Sequence, residues 1–591
     1  MEFCSKYGYD YGYDGSSSEE LDSESEKTSG KKIRKADTNI VSVSFDRLVS
    51  TNQMFAGEPI KCTNCEAIMN QISRHHVDSG KKIWNCEFCL EPNPLNILDL
   101  NQIPDDTDTN FLIESVPQSN KNSTKKFHEN QSFLFYCIDI SASMDTEISE
   151  SCQLSRLDAV KNACIENLTN LKSTQASKPI GLVTFSSRVR FIGDNLNSQK
   201  HLTLENTMPK ASRSSSLLSR IKSVLSSNGT ETANILDDRE KLIELGRRQD
   251  KNLRPILESH RFLTAKIESL ETEGATALGP ALTFLIGFLD NSPGSQIILC
   301  TDGAANVGVG SIKRNERAEA FYEQIADYAK SRGIVVNVIT MKGTDCKLGL
   351  LGKVADRTNG SVNIVKPSEL SQELHTILQN RLIATHASAK LIVSKYLYIR
   401  DDILEETEME AYEKNDCETL KNLEKNRKSF LVKDIGNVNV ETEINFEYGI
   451  KTLDEKERKS AKELEKLPFQ VQISYTLPNG ARALRVLTKC QEFTSDRHKA
   501  ENQLNSKEIL WSSFSQKMST YVARSSLNSA KRSMKQLRAY EKRNQVRIPK
   551  SLDSHIKLFS GLSSSTRAEQ LSDEQIKNVL KAKRSNRASY L

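Results

Sequence analysis

Four cysteines in two pairs constrain the fold of this chain more than any other feature. Cys62 and Cys65 form the first pair, Cys86 and Cys89 form the second, and each pair encloses two residues. Two such pairs about twenty residues apart can place four thiolates at the corners of a tetrahedron, the geometry that Zn²⁺ adopts in structural sites. Because four sulfurs leave no coordination position open, the pattern predicts a structural zinc site in a small ribbon spanning 61–95. The free energy of metal binding would then contribute to the folding of that segment.

A second group of polar residues follows a predicted buried strand. Asp139, Ser141 and Ser143 come directly after the continuous apolar run 133–138, which is typical of a strand buried in a parallel sheet. One carboxylate and two hydroxyls on alternate residues form a surface of hard oxygen ligands that suits Mg²⁺ or Mn²⁺. Alone, this Asp-x-Ser-x-Ser pattern is a weak signal.

Two further residues strengthen the prediction of a metal site. Thr276 precedes the apolar helix predicted over 277–289, and Asp302 follows the strand predicted over 296–300. Ligands of open α/β sheets bind at the carboxyl ends of the strands, where these side chains should meet. The chain alone would coordinate such a cation incompletely, which leaves a position for water or for a partner's carboxylate. We therefore predict a metal-bridged binding surface and no enzymatic activity.

The hydrophobic pattern predicts a multidomain α/β protein. Over 132–385 apolar strands alternate with helices, which predicts a doubly wound parallel sheet with helices on both faces. The stretch 197–270 is charged, serine-rich and partly helical, and we interpret it as an insertion at one edge of that sheet. After residue 385 the hydrophobic period becomes two, which predicts an antiparallel β-sandwich over 386–495. A helical region is predicted over 497–545.

The remaining segments are predicted to be peripheral. The acidic residues 1–39 contain too little apolar surface to offset the entropy of ordering, so we expect disorder there. Residues 40–60 alternate as a strand that we expect to pair with the sandwich. The polar segment 105–130 is predicted to be a linker, and 546–591 a basic tail that is solvated and partly disordered.

Composition excludes some classes of function. The net charge is only +5 in 591 residues, which argues against nucleic acid as a partner. No apolar run is long enough to span a bilayer. The acidic N-terminal segment lacks the basic start and apolar stretch of a signal peptide. We therefore expect a cytoplasmic protein.

The five polar residues resemble a known adhesion site. Asp139-x-Ser141-x-Ser143, then Thr276, then Asp302, in this order within an α/β alternation, resembles the von Willebrand factor A domain. In that family these positions form the metal-ion-dependent adhesion site. The resemblance implies that all five residues hold Mg²⁺ or Mn²⁺ here, and that a protein ligand with an acidic side chain completes the coordination.

The order of the modules resembles the inner-coat subunits of the COPII vesicle coat, in which the A-type domain is called the trunk. It is also similar to the non-GTPase part of circularly permuted Ras-like proteins. The chain contains no Gly-x4-Gly-Lys-Ser/Thr loop, so the GTPase part of those proteins is expected to be absent. Where the coat family has a gelsolin-like module, this chain has a basic segment of low complexity, so GTPase activation of the coat type is not expected either. The resemblance implies coat or small-GTPase partners and peripheral contact with anionic ER or vesicle membranes.

Three functions stay open from the sequence. We favour a cytosolic adaptor or scaffold that binds its partner through the Mg²⁺-dependent site. The first alternative is a COPII-coat-like component of ER-to-Golgi vesicle transport. The second is an enzyme or its regulatory subunit, although the sequence places no nucleophile beside a general base.

Overall fold

The structure is a computed structural model with two compact units. It describes the chain except for residues 11–33, 50–53, 57, 96–102, 105, 115–131, 150–151, 197–200, 207–233, 313–314, 343–345, 465, 493–505, 545, 563–569 and 591. The α/β unit comprises 121–381 and 572–577, and the β-sandwich unit comprises 1–120, 382–571 and 578–591.

The strands of the described residues are numbered in chain order: β1 (Glu2–Asp10), β2 (Arg34–Ser44), β3 (Met54–Ala56), β4 (His75–Asp78), β5 (Lys81–Asn85), β6 (Pro92–Leu95), β7 (Asp108–Glu114), β8 (Leu134–Asp139), β9 (Glu147–Ser149), β10 (Cys152–Ser155), β11 (Ile180–Phe185), β12 (Val189–Gly193), β13 (Leu202–Leu204), β14 (Gln296–Cys300), β15 (Val335–Met341), β16 (Val362–Val365), β17 (Leu382–Val393), β18 (Leu397–Ile399), β19 (Phe430–Asn439), β20 (Glu443–Ile450), β21 (Lys466–Thr476) and β22 (Arg482–Glu492). The helices are numbered in the same way: α1 (Arg156–Thr174), α2 (Arg239–Arg247), α3 (Ile256–Glu268), α4 (Leu278–Phe288), α5 (Asn315–Ser331), α6 (Leu348–Arg357), α7 (Leu370–Gln379), α8 (Asp402–Glu413), α9 (Cys417–Lys425), α10 (Glu455–Glu463), α11 (Lys507–Ala523), α12 (Leu527–Asn544), α13 (Lys550–Ser560) and α14 (Asp573–Lys583).

The α/β unit is built on a seven-stranded sheet with the order β13-β12-β11-β8-β14-β15-β16. Strands β11, β8, β14, β15 and β16 are parallel, and β12 and β13 add an antiparallel edge. Every residue of β8 is buried. Its Tyr136 packs in a cluster with α1 and α3, whereas the ring of Phe135 packs on Phe288 of α4. Helices therefore cover both faces, and the predicted doubly wound sheet is confirmed.

The predicted insertion at 197–270 is integrated into this unit. Ile256, Leu263 and Ile267 of α3 are buried in the same core cluster as α1. Helix α2 packs so closely on α4 that a Cβ on Gly246 would lie 2.2 Å from the backbone oxygen of Phe284. The interpretation of an added edge segment is therefore wrong for these two helices. Both helices have an apolar stripe with helical spacing, and the many charged residues on their outer faces made this pattern hard to recognise in the sequence. Residues 207–233 of the predicted insertion lie outside the described part of the chain.

The β-sandwich unit contains two sheets, ordered β1-β2-β20-β18 and β19-β17-β21-β22-β7-β3. The part of the sandwich that follows the α/β unit begins with β17 at Leu382, four residues earlier than predicted. Strands β21 and β22 form the hairpin predicted from Pro478-Asn-Gly. Gly480 takes a φ of 86° there, and the N–H of Leu477 donates to the carbonyl of Ala481 at 2.8 Å, so that hairpin is confirmed.

Two segments that were predicted to be unstructured contribute strands to the sandwich. Strand β1 pairs with β2, and the ring of Phe3 packs 5.0 Å from that of Phe469. Strand β7 lies between β22 and β3 with Phe111 buried. The expectations of a disordered 1–39 and a linker at 105–130 are therefore wrong for the residues in these strands. A strand that joins an existing sheet needs only a few apolar residues, because the neighbouring strands supply its hydrogen bonds and cover those residues. Within 40–60, β2 pairs with β20 and β3 pairs with β7.

The helices of this unit extend further than predicted. Helices α8, α9 and α10 lie within the region predicted as β-sandwich alone. The long helical region turns at Ser525, whose φ is 61°, and this turn separates α11 from α12. The tail 546–591 contains α13, in which Leu552, Ile556 and Phe559 are buried. The expectation of a solvated tail is therefore wrong for this helix, because its basic residues form only one face. No helix of the described residues combines the length and apolarity needed to cross a membrane.

Candidate metal sites

The four predicted zinc ligands come together at one point of the ribbon. The sulfurs of Cys62, Cys65, Cys86 and Cys89 all lie within 4.8 Å of one another. The Sγ atoms of Cys62 and Cys89 are 3.6 Å apart, and those of Cys65 and Cys86 are 3.5 Å apart. A tetrahedral zinc ion with bonds of about 2.3 Å separates neighbouring sulfurs by about 3.8 Å. The donor set and its spacing therefore fit Zn²⁺.

Each cysteine pair sits in a turn that prepares the thiols for a metal. The N–H of Glu66 donates to the carbonyl of Cys62 at 3.0 Å, and the N–H of Leu90 donates to that of Cys86 at 2.7 Å. Glu66 and Leu90 both have positive φ angles, of 61° and 67°. The hydrogen bond from the thiol of Cys86 lowers the pKa of Cys65, and the same bond raises the pKa of Cys86. Thiolate is the form that binds zinc.

The ribbon is anchored to the six-stranded sheet through buried side-chain amides. Gln470 on β21 accepts from the N–H of Ile68 at 2.7 Å and donates to its carbonyl at 2.8 Å. Gln472 donates to the carbonyl of Glu66 at 2.8 Å. An unpaired buried polar group is costly, so these bonds determine how the ribbon sits on the sheet.

The five predicted adhesion-site residues meet at the carboxyl edge of the seven-stranded sheet. Asp139 ends β8, and Ser141 and Ser143 lie in the turn after it. Thr276 precedes α4, and Asp302 follows β14. Strands β8 and β14 are parallel neighbours, so their ends present both carboxylates to the same space.

A hydrogen-bond network connects four of these residues. The Oγ atoms of Ser141 and Ser143 are 3.1 Å apart, and that of Ser143 donates to Oδ1 of Asp302 at 2.6 Å. Asp139 accepts from the N–H of Ser141 at 2.8 Å. Its second oxygen accepts from the hydroxyl of Thr301 at 2.6 Å. Both carboxylates are therefore oriented by protein donors.

The fifth residue, Thr276, is positioned by a loop contact and faces the same space. Its N–H donates to Oδ1 of Asn306 at 2.8 Å, and its carbonyl accepts from the N–H of Asn306 at 3.0 Å. A Cβ built on Gly303 would lie 3.6 Å from Oγ of Ser143 and 4.0 Å from Oγ1 of Thr276. Gly303 therefore leaves open the space between the two hydroxyls.

A cation of the protein already contacts this site. Arg156, the first residue of α1, donates to Oδ2 of Asp302 at 2.7 Å. The Asp302 side chain is fully buried, whereas 21% of the Arg156 side chain is exposed. A positive charge in the first turn of a helix opposes the helix dipole, so the placement of Arg156 is explained by its carboxylate partner.

The electrostatics of the site favour a bound cation. Burial raises the pKa of Asp139 to about 6, and the nearby carboxylate of Asp302 adds to the rise. Two buried carboxylates with three hydroxyls are the hard-oxygen donors that Mg²⁺ and Mn²⁺ prefer. The guanidinium of Arg156 acts as a stand-in for positive charge at the same place. The residues present therefore fit a divalent cation.

Sequence reasoning missed three residues of this site. Thr301 precedes Asp302 in the sequence, and its hydroxyl could have been noted as a further polar group at the end of β14. Asn306 also lies in that loop. For Arg156 the signal was topological: α1 follows β8 in the chain and therefore begins near the carboxyl edge at which the parallel neighbour β14 ends.

Part of the chain matches a characterised family. Residues 59–97 match the Sec23/Sec24 zinc finger, a range that contains all four cysteines of the cluster. The match supports zinc as the metal of the ribbon.

A curated relative and a solved structure resemble much more of the chain. Circularly permutated Ras protein 1 of Dictyostelium discoideum is 27% identical over 505 residues, which cover 81% of this chain and 53% of the relative. The chain thus spans about half the length of that protein. The crystal structure of the human COPII-coat protein Sec24c is 12% identical, with a TM-score of 0.54, and the match covers 93% of this chain and 71% of that one. The resemblance predicted from the sequence is therefore confirmed: the chain combines a zinc finger of the Sec23/Sec24 type with a fold similar to that of a COPII coat protein.

Proposed function

We propose that the chain is a non-enzymatic adaptor that binds a protein partner through a divalent cation at the adhesion site. The observation that carries this proposal is the meeting of Asp139, Ser141, Ser143, Thr276 and Asp302 at one edge of the sheet. A bound Mg²⁺ or Mn²⁺ would offer an open coordination position to an acidic side chain of the partner. The zinc ribbon and the sandwich would serve as rigid framework.

The hydrogen bonds of the site support binding over catalysis. The hydroxyl of Ser143 donates to Asp302, and that of Ser141 contacts Ser143. A nucleophilic serine requires a general base that removes its proton, and the carboxylate that accepts from Ser143 is already paired with the guanidinium of Arg156. Such fixed oxygen donors suit a cation.

The first experiment measures metal binding directly. Calorimetric titration of the purified chain with Mn²⁺ should detect one site in addition to the zinc site, and Asp302→Asn should abolish it. The matched control is Asp327→Asn, which removes the same charge from an exposed pair with Arg357. Failure of the wild-type chain to bind Mn²⁺ would refute the proposal.

The second experiment tests the partner. Affinity capture from lysate would be compared for wild type in Mg²⁺, wild type in EDTA, and Asp302→Asn in Mg²⁺. A protein that is lost in both the second and third samples is the expected ligand. If the captured proteins do not differ among the samples, adaptor binding through this site is wrong.

A second candidate function is a coat-like component at ER or vesicle membranes, with coat subunits or a small GTPase as partners. The fold similarity to Sec24c and the zinc finger match support this candidate. Such a protein should sediment with anionic liposomes in a salt-sensitive manner. Because this contact does not use the adhesion site, EDTA and Asp302→Asn should leave it unchanged, which separates the two functions. Both candidates place the protein in the cytoplasm.

A further inference from the structure

The six-stranded sheet of the sandwich ends in an open edge at β19. Strand β19 is the outermost strand in the order β19-β17-β21-β22-β7-β3 and pairs with β17 on one side only. The carbonyl of Lys428, just before β19, accepts from the N–H of Ile399 in β18 at 2.9 Å. Strand β18 therefore covers the edge as far as Lys428, and the uncovered part starts at Phe430.

The ladder with β17 determines which backbone groups of β19 face outward. The carbonyl of Ser429 accepts from the N–H of Val393 on β17 at 2.9 Å. Alternate residues of an antiparallel edge strand bond to the neighbour, and the residues between them point their N–H and C=O groups away from it. The backbone groups of Phe430 and Val432 are therefore directed outward, where no described residue bonds to them.

The same two residues carry exposed apolar side chains. The side chains of Phe430 and Val432 are 42% and 53% exposed. Long apolar edges are usually protected against pairing with other chains. Among the described residues, β18 covers the near end of this edge, and Asp434 with a distortion of the ladder near Gly436 interrupts the far end. The stretch between them, at Phe430 and Val432, is left uncovered.

Two lysines lie beside the aromatic ring at the start of the uncovered edge. The Nζ atoms of Lys390 and Lys428 lie 5.1 Å and 5.8 Å from the centre of the Phe430 ring. Lys390 also forms an ion pair with Glu66 of the zinc ribbon. Lys428 is exposed, and it forms no ion pair with any carboxylate of the described residues. An incoming segment would therefore meet an unneutralised cation beside an aromatic ring.

A cavity opens beside the start of the edge. Its volume is about 150 Å³, and its apolar wall includes Leu404, Leu423, Phe430 and Leu431. The carboxylates on its wall include Glu408, which pairs with Arg427, and Glu405 and Glu447, which both pair with Lys517. Leu404 on α8 is itself 44% exposed. A single apolar side chain of a bound segment could enter this cavity while its backbone follows β19.

We propose that the free edge of β19 is a docking site for an extended, acidic segment of a partner protein. The segment adds a short strand to the sheet by bonding to the outward backbone groups of Phe430 and Val432, which is the mode of binding called β-augmentation. An apolar side chain of the segment fills the cavity, and an acidic side chain next to it pairs with Lys428. This surface is independent of the adhesion site.

The test uses a fluorescent peptide of alternating acidic and apolar residues, Glu-Leu-Glu-Val-Asp-Val-Glu, and the full chain. Val432→Pro removes one outward N–H without removing a bond to β17, and edge strands tolerate proline at such positions. Loss of that bond should weaken binding about tenfold. The matched control Val432→Thr keeps the N–H and should bind within about twofold of wild type. Circular dichroism melting curves check that both variants are folded.

Two further measurements keep the proposal testable if Val432→Pro does not fold. Lys428→Glu, a change on the surface, should weaken binding severalfold, and salt should weaken binding to wild type. Asp302→Asn and EDTA should leave the peptide affinity unchanged, so failure of the adhesion site and failure of this surface are distinguishable.

Three results would overturn the proposal. The first is the absence of peptide binding to wild type. The second is equal binding to Lys428→Glu and, where it folds, to Val432→Pro. The third is concentration-dependent self-association of wild type that Lys428→Glu or Val432→Pro abolishes, since the occupant of the edge would then be a second copy of the chain.

Discussion

Replacement of Arg156 by methionine should make the adhesion site bind divalent cations more tightly. Arg156 donates to the buried carboxylate of Asp302 at 2.7 Å, so it neutralises one of the two acids of the site without a metal. A cation that binds Asp302 must compete with this guanidinium. Methionine keeps the apolar stem of the side chain and removes both the charge and the hydrogen bond.

The magnitude follows from the environment of the pair. Removing one partner of a buried ion pair costs about 3–5 kcal/mol. Here the loss should be smaller, because 21% of the Arg156 side chain is exposed to water. Removal of a positive charge from the first turn of α1 also stabilises the helix by about 0.3–1 kcal/mol. The metal-free variant should therefore lose about 2 kcal/mol of unfolding free energy. If the cation and the guanidinium exclude each other, wild type must break the Arg156–Asp302 pair before it binds Mn²⁺, whereas the variant need not. The variant should therefore bind Mn²⁺ about 2 kcal/mol, or about 30-fold, more tightly than wild type.

Two assays check this prediction. Calorimetry gives the Kd for Mn²⁺, and urea unfolding in EDTA gives the loss of stability. The control Lys161→Met removes a positive charge from the same helix, where Lys161 pairs with Asp158 at 3.4 Å, and should leave the Kd unchanged. A Kd for Arg156→Met within about twofold of wild type would refute competition. A weaker affinity would show that Arg156 instead holds Asp302 in the geometry that the metal requires.

Three further changes have defined outcomes. Cys86→Ser should eliminate zinc from the purified chain, measured by mass spectrometry of metals, and should expose the ribbon amides to hydrogen exchange; retained zinc would contradict the four-sulfur site. Gln470→Ala should keep the zinc but lower the urea-unfolding free energy by about 1–3 kcal/mol, because the buried N–H and carbonyl of Ile68 lose their partner; unchanged stability would show that water replaces the amide. Burial lowers the pKa of Lys178 to about 8, so the folded state disfavours its charge at neutral pH, and wild-type stability should rise between pH 8 and about 10.5. Lys178→Met should therefore be more stable than wild type at pH 7 by about 3 kcal/mol, with the difference disappearing near pH 10.5; an equal difference at both pH values would refute that account.

The parts of the fold that sequence predicts well are those that depend on local spacing. The zinc ligands form two short turns, so their spacing alone indicates the cluster. The strands β8 and β14 are continuous apolar runs, and the carboxyl ends of such strands meet at one edge of a sheet. For that reason Asp139 and Asp302 could be placed together from their positions alone.

The parts that sequence did not predict depend on what covers each segment. Strand β7 contains the short apolar run 111–113 within a longer polar segment, and Phe111 is buried against Ile68 of the ribbon and Val486 of β22. In α13 the spacing of Leu552, Ile556 and Phe559 was a usable helical signal that the basic residues concealed. For Arg156 no local signal exists, since its contact with Asp302 joins residues 146 positions apart.

The two metal sites should respond to chelators in opposite ways, and the structure gives the reason. Around the zinc site, four thiols in the space of one ion have mainly one another as partners, so metal removal should unfold the ribbon. At the adhesion site, Arg156 neutralises Asp302, and Thr301 and the backbone of Ser141 satisfy Asp139. That site keeps its shape without a cation, so a chelator should release the metal and leave the α/β unit folded. A site that binds and releases a cation without unfolding requires protein groups, such as Arg156 and Thr301, that satisfy its carboxylates when the cation is absent. Retained folding of the α/β unit with loss of the cation would therefore support a reversible site, whereas unfolding of that unit in the chelator would refute it.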